Sequence, residues 1–246
     1  SDMSMLELTP DFIKEFAAYL STEAGLRNGS IWANCMWLKG VVMKAHYNGL
    51  IPRNPFIQFH ISPNVKEREY LTEDELKAVM THEFADSKLA YIRDIFIFAS
   101  FTALSFVDIQ ELTNDNIVEV NGEKWILSKR HKTKVAFQVK LLDIPLQIVE
   151  RYRPMQKDNR IFPGLNYWSI CKPLKRMIRE CGITKSISFH CSRHGFATLA
   201  LSKGMPIESV SRVLGHTNIV TTQLYAKITT QKLDNDLTMF GDKLSK

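Results

Sequence analysis

Long apolar runs are absent from this 246-residue chain. None approaches the roughly 18 to 20 residues that span a bilayer. The opening Ser1-Asp2-Met3-Ser4 is polar and acidic where a secretion signal would be basic and then apolar. A soluble, unexported protein with no membrane partner is expected. Cysteine is scarce as well. Cys35, Cys171, Cys181 and Cys191 form no C-x-x-C pair, which excludes a disulfide framework or zinc ribbon and makes a reducing cytoplasm the expected compartment. The eleven glycines never fall into the G-x-x-x-x-G-K-[ST] loop that cradles nucleotide phosphates, and no G-x-S-x-G elbow presents a serine nucleophile. His190 and His194 have the spacing of a zinc-binding helix, but Cys191 stands where its glutamate would follow, so no metal is expected.

What is present is ordinary globular composition, 45% hydrophobic and 24% charged, with chain enough for one large domain or two small ones. Thirty-two Lys and Arg against twenty-six Asp and Glu leave a charge of +6. That excess is compatible with a polyanionic partner and too small to identify one.

Thr9-Pro10 reads as an N-cap and first helical residue, after which Phe12, Ile13, Phe16, Ala17 and Leu20 share a face. A second helix is expected after Ser30, with Ile31, Cys35, Leu38, Val42 and Ala45 inward and an end at Asn48-Gly49. Pro52 and Pro55 prevent its continuation. Residues 5–56 thus read as a small helical domain, and 57–68, with Pro63 and a charged end, as a linker. The capping box Thr72-Glu73-Asp74-Glu75 opens a second domain, 69–246. Leu89 to Leu104 is apolar nearly all round, as in a helix buried on most of its surface. From Ile117 to Leu141 the period falls to two around Asn121-Gly122, giving a three-stranded antiparallel meander whose second turn, Lys129 to Lys134, is strongly basic. Helices resume after Pro145 and break at Cys181-Gly182, Gly204-Met205-Pro206 and Leu214-Gly215-His216. A last helix, 231–246, carries Leu233, Leu237, Phe240 and Leu244 as one stripe. The expected fold is mainly α with a small antiparallel β-sheet: a helical domain, then an α+β domain.

The residues that carry chemistry cluster in the last third: His190, Arg193 and His194, then His216, then Tyr225. Singly, each has a structural explanation. Together, after a basic hairpin, they suggest phosphoryl transfer. A phenol can attack phosphorus, while guanidinium, imidazole and ammonium groups stabilise the non-bridging oxygens and protonate the leaving oxygen.

H-x-x-R-H at His190 to His194, Phe196-Ala197-Thr198, G-x-x-x-x-x-V-x-x-x-L-G-H from Gly204 to His216 and T-x-x-Y-A ending at Tyr225-Ala226 together resemble the signature of the tyrosine recombinases, the phage integrase family. Leu8 to Phe56 resembles that family's helical, SAM-like core-binding domain. The resemblance implies a site-specific recombinase that cuts and rejoins double-stranded DNA through a 3′-phosphotyrosyl intermediate, integrating or excising a mobile element without a cofactor or metal. It implies Tyr225 as nucleophile, Arg193 and His216 on the phosphate, His190 assisting proton transfer at the nucleophile and Lys132 as general acid, with Lys129 the competing assignment. One departure stands out. The family pattern T-G-L-R reads Thr102-Ala103-Leu104-Ser105 here, so a serine occupies the place of the first catalytic arginine. Integrases of Bacteroides-type mobile elements carry a similar replacement, and by that likeness Arg130 stands in; a solvated hairpin arginine is the competing view. Lys129, Lys134 and His194 are the expected DNA contacts. A tetramer on two synapsed duplexes, with a monomer in free solution, is the implied assembly, and the last helix is the candidate link between protomers. An arm-binding domain, which many members carry, would have to precede residue 5. The alternatives are a non-catalytic DNA-binding regulator, prompted by Ser105, and a type IB topoisomerase-like relaxing enzyme.

Overall fold

The computed structural model of the protein describes residues 3–62, 69–156, 158–226 and 230–244. Its contacts divide the chain into two units, Ser1–Glu67 and Arg68–Lys246. Of the linker expected at 57–68, residues 63–68 lie outside the described residues.

In the first unit, α1 (Pro10–Thr22) starts where the Thr9 hydroxyl accepts from the Phe12 amide, satisfying one of the amides that a helix start leaves open. Helix α2 (Asn28–Tyr47) begins ahead of the start that Ser30 suggested. The residue before it, Arg27, makes no side-chain cap, so the serine signal was a false one; the Ser30 carbonyl instead accepts from Asn34 within the helix at 2.8 Å. The helix stops at Gly49, whose φ of 72° lies in the left-handed region. Ile13, Val42, Ala45, Ile51 and Phe56 form one apolar cluster, Leu20, Ile31 and Cys35 another, and Phe59 packs against both.

The second unit opens on α3 (Glu73–Thr81) with the reciprocal capping box: Thr72 Oγ1 accepts from the Glu75 amide and Glu75 Oε2 from the Thr72 amide. Helix α4 (Ser87–Thr102) follows, then α5 (Phe106–Gln110). Strands β1 (Ile117–Val120), β2 (Glu123–Lys129) and β3 (Ala136–Lys140) form the antiparallel meander in the order β1-β2-β3. Asn121 and Gly122, both at positive φ, make its first turn. After the sheet come α6 (Asp143–Tyr152), α7 (Tyr167–Glu180), α8 (His190–Ser202), α9 (Ile207–Leu214), α10 (Val220–Gln223) and α11 (Thr230–Leu244). Helix α4 is the hub of this unit, packed against α3, α6, α7 and α8. It buries Leu89, Ile92, Ile95, Phe96, Phe98 and Ala99 on several faces, which is why its sequence shows no polar side. Helix α9 packs on α8 and on β3, so the end of the hairpin meets the end of α9.

Helix α11 leaves Leu233, Leu237 and Phe240 in solvent, 50%, 61% and 61% exposed. Residues 245 and 246 of the expected helix lie outside the described residues. No described helix is long and apolar enough to cross a membrane.

Candidate active site

The site is assembled from helix ends. The last carbonyls of an α-helix have no partner within it and carry the negative pole of its dipole. Helix α4 stops because Ala103 turns left-handed at φ 55°, and the Ala103 carbonyl then accepts from Arg193 Nη1 at 2.7 Å. Helix α9 stops at Gly215, φ 62°, leaving the Val213 and Leu214 carbonyls open. Arg193 Nη2 donates to Leu214 O, and Arg130 Nη2 donates to Val213 O at 2.6 Å. Two guanidiniums that would otherwise repel are thus held on consecutive carbonyls of one helix terminus.

Arg130 reaches this place by strand alternation. Ile126, Ser128 and Arg130 point to one face, and Ser128 pairs with Phe137, whose ring lies 4.1 Å from the Arg130 guanidinium carbon. The Arg130 amide donates to Val135 O, and the Arg130 carbonyl accepts from the Lys134 amide, both at 2.8 Å, closing the turn tightly. At 6% exposure it is not a solvated hairpin arginine. Its charge is met by Asp108: Nη1 donates to Asp108 Oδ2 at 2.7 Å, the Ser105 hydroxyl donates to the same oxygen at 2.8 Å, and the His131 amide donates to Oδ1 at 3.0 Å. Burial opposes ionisation of Asp108, but these bonds outweigh it and hold the carboxyl below its usual range. Gly215 is required here twice. Its φ favours glycine, and a Cβ on it would lie 2.8 Å from Arg130 Nε.

Burial first, and then Arg130 nearby, lower Arg193 to about 10, so it remains charged at neutral pH. His216 follows Gly215 directly. Its Nδ1 shares a 2.8 Å hydrogen bond with the hydroxyl of Thr222, which is fully buried on α10. Desolvation, then the charges of Arg193, Arg130 and His190, depress it to about 4, leaving a neutral imidazole at pH 7. Tyr225 packs at the edge of the apolar cluster of α8 and α9. The His194 ring meets it edge-on at 4.7 Å, and the His216 ring lies nearly parallel at 6.4 Å.

The fold therefore brings Arg130, Arg193, His194, His216 and Tyr225 together, with His190 at the first turn of α8 close enough to act on His216 through its charge. The hairpin lysines are placed differently. Lys129, Lys132 and Lys134 are exposed, and no hydrogen bond or ion pair of their side chains among the described residues joins them to the cluster. Lys129 ends β2 and, by alternation, faces away from the side that Arg130 occupies. Sequence reasoning missed Asp108 and Thr222 as site residues. A signal existed for the first, because Ser105-x-x-Asp108 is a capping-box pattern. Among the described residues, no group of three or more His, Cys, Asp or Glu is placed to hold a metal ion.

Comparison with known proteins places this geometry. Residues 69–232 match the phage integrase family, and residues 1–61 match the phage integrase SAM-like domain. Tyrosine recombinase XerA of Pyrococcus horikoshii is 32% identical over 177 residues, covering 66% of this chain and 58% of that protein's length. Tyrosine recombinase XerC of Lactobacillus leichmannii is 25% identical over 229 residues, 87% of this chain and 77% of that protein. Among solved structures, the Tn1549 transposon integrase in complex with a circular intermediate DNA superposes with a TM-score of 0.83 at 18% identity, covering 97% of this chain and 88% of that one. A lambda integrase dimer bound to a COC′ core site gives 0.72 at 18% identity, covering 92% and 82%. The solved structures share the fold, and the family match over residues 69–232 spans the second unit from its entry to beyond Tyr225; the chain belongs to the phage integrase family.

Proposed function

We propose that this chain is a site-specific DNA recombinase that cuts and rejoins strands through Tyr225. The observation that carries the reading is the convergence of two guanidiniums, the buried Arg130 and the part-buried Arg193, with the neutral ring of His216 beside the Tyr225 phenol. Such a cluster stabilises an anion whose charge grows during reaction. In the proposed step the Tyr225 phenol oxygen attacks phosphorus, its proton passes to His190, and the 5′ oxygen leaves as a hydroxyl with a proton from Lys132. The product is a 3′-phosphotyrosyl bond. Attack on it by a 5′-hydroxyl of another strand restores the phosphodiester and the phenol. One phosphodiester is exchanged for another of similar energy, so the chemistry needs no nucleotide cofactor.

Within this reading Arg130 fills the place of the arginine missing at Ser105. The sharing of Asp108 Oδ2 by Ser105 and Arg130 supports it, because the carboxylate beside the vacated position holds the hairpin guanidinium instead. His216, with Thr222 donating to Nδ1, would carry its proton on Nε2 and offer it to a phosphate oxygen. Lys132 is favoured over Lys129 as general acid because Lys129 lies on the far face of β2. Lys129, Lys134 and His194 are the proposed DNA contacts, His194 through its ring nitrogens. Double-stranded DNA is the partner. The exposed stripe of α11 is the proposed docking surface that links protomers into a tetramer on two synapsed duplexes.

A nicked suicide duplex carrying the native site tests the reading. The wild-type protein is expected to become covalently attached, and Tyr225→Phe to bind DNA within a few-fold and form no adduct. An adduct surviving in that variant removes Tyr225 from the role. Deleting residues from Leu233 onward is expected to leave single-site binding intact and weaken two-duplex complexes in gel-shift and sedimentation assays; unchanged assembly would refute the docking surface.

A further inference from the structure

We infer that Tyr70, at the entry of the catalytic unit, is a positioning residue for the nucleophile, acting through the ring of His194. The inference rests on the reading of Tyr225 as nucleophile. Tyr70 and His194 stack nearly parallel, with ring centroids 5.1 Å apart and planes 11° from parallel. His194 in turn sets an edge against Tyr225, at 4.7 Å and 81°. Both are favourable aromatic geometries, so the three rings form a continuous stack with the phenol at its end. The His216 ring lies farther from Tyr225, at 6.4 Å. His194 is therefore the closer of the two rings that fix the phenol.

A stack can position a nucleophile only if its far end is fixed, and Tyr70 is. Lys185 Nζ donates to the Tyr70 carbonyl at 3.2 Å and pairs with Glu75 of the capping box at 2.6 Å. The Ser186 amide donates to Glu69 at 2.6 Å. Leu71 is buried in the main core. The segment lies against α8 at Gly195, where a Cβ would sit in ordinary contact, 3.8 Å from Leu71 O and 4.0 Å from Tyr70 Cβ. The four residues 69–72 are thus tied to the catalytic unit on both sides of the Tyr70 ring. They also begin just after residue 67, where the chain passes from one unit to the other. How the chain enters the unit and where the phenol lies are consequently set by one row of rings. The phenol is a single bond rotation away from other staggered positions, and losing alignment by about an ångström can cost a large factor in rate.

Two readouts test this, one of which does not depend on activity. In protein labelled with ¹³C at tyrosine rings, the Tyr225 resonance, assigned by its loss in Tyr225→Phe, is expected to move in Tyr70→Leu and in His194→Leu and to stay near its wild-type position in Tyr70→Phe. On a nicked suicide duplex at saturating protein, Tyr70→Leu is expected to slow adduct formation roughly tenfold while changing DNA affinity less than about twofold, with Tyr70→Phe restoring the rate. The double variant Tyr70→Leu/His194→Leu is expected to be no slower than His194→Leu alone, because both act through one chain of contacts. An unmoved Tyr225 resonance, an adduct rate in Tyr70→Leu equal to wild type, failure of Tyr70→Phe to restore it, or fully additive slowing would each overturn the inference. If wild-type protein forms no adduct, the recombinase reading fails and the resonance arm still decides the stack.

Discussion

Arg130 and Arg193 converge on adjacent carbonyls of α9, yet the regions that deliver them neutralise charge in opposite ways. The hairpin brings Arg130 to a carboxylate, with Asp108 at 2.7 Å, and both side chains are almost fully buried, at 7% and 4% exposed. Helix α8 carries Arg193 to neutral acceptors, and among the described residues its side chain donates to the carbonyls of Ala103 and Leu214. A buried ion pair fixes geometry firmly but spends part of the cation's field on its partner, whereas a guanidinium held by dipoles keeps its field for an incoming anion. Under the proposed reading, the hairpin arginine would serve architecture as much as catalysis, and the helix arginine mainly catalysis.

The sharpest way to break this comparison is to remove each arginine and measure folding and cleavage separately. Arg130→Ala strands a buried Asp108, and the loss of stability in chemical unfolding is expected to be about 3 to 5 kcal/mol. Arg193→Ala leaves two carbonyls short of a donor, an expected loss of about 1 to 3 kcal/mol, but it is expected to slow adduct formation by at least about 10². Equal stability losses in the two variants would erase the distinction.

Smaller substitutions sharpen it. In Gly215→Ala the new methyl would contact Arg130 Nε and strain a φ of 62°, so a stability loss of about 1 to 3 kcal/mol and slower cleavage are expected. Arg193, on the neighbouring carbonyl, would be disturbed less. Ser105→Ala removes one hydroxyl from Asp108 and the cap of α5, and a loss of about 1 kcal/mol with nearly normal cleavage is expected if Arg130 holds the catalytic place. A cleavage defect in Ser105→Ala as large as that of Arg130→Ala would return the role to position 105.

Burial, and then the charges around His216, also set a pH dependence. His216 is depressed to about 4 in the folded protein, below the unfolded value near 6.5. Between these values the unfolded chain binds more protons, so the stability that His216 contributes is complete above about pH 6.5 and is lost as pH falls towards 4. Thermal unfolding across that window is expected to show the fall, and His216→Asn to flatten it.

Much of the architecture was written locally. Thr72 and Glu75 cap α3 by neighbours three residues apart, Asn121-Gly122 folds the hairpin by positive φ, and Gly204 and Gly215 end helices where only a left-handed residue serves. The three-residue spacing of His190 and Arg193 places them on one helical face before any tertiary contact exists. What was not legible depends on chain segments meeting. Asp108 and Arg130 are 22 positions apart, and nothing in either neighbourhood says that the strand face carrying Arg130 will meet α5. The face of β2 on which Lys129 lies depends on the strand's register, since one residue of slip reverses its faces. Even the family motif gained a physical sense only in three dimensions. The glycine expected in T-G-L-R lies at the left-handed close of α4, and here Ala103 adopts that conformation at φ 55° while its carbonyl receives Arg193.

The two oxygens of Asp108 have a consequence for how the protein breathes. One binds the hairpin backbone at His131; the other binds Ser105 at the start of α5 and the Arg130 side chain. Neither the hairpin turn nor the α4–α5 junction can open without breaking bonds to the same carboxylate, so the amides of Asp108, Arg130, His131 and Lys134 belong to one cooperative unit of hydrogen exchange although they come from separate stretches of chain. The local fluctuation that would carry Lys132 toward a substrate is thereby confined to the few residues at the tip of the turn, between two anchored ends.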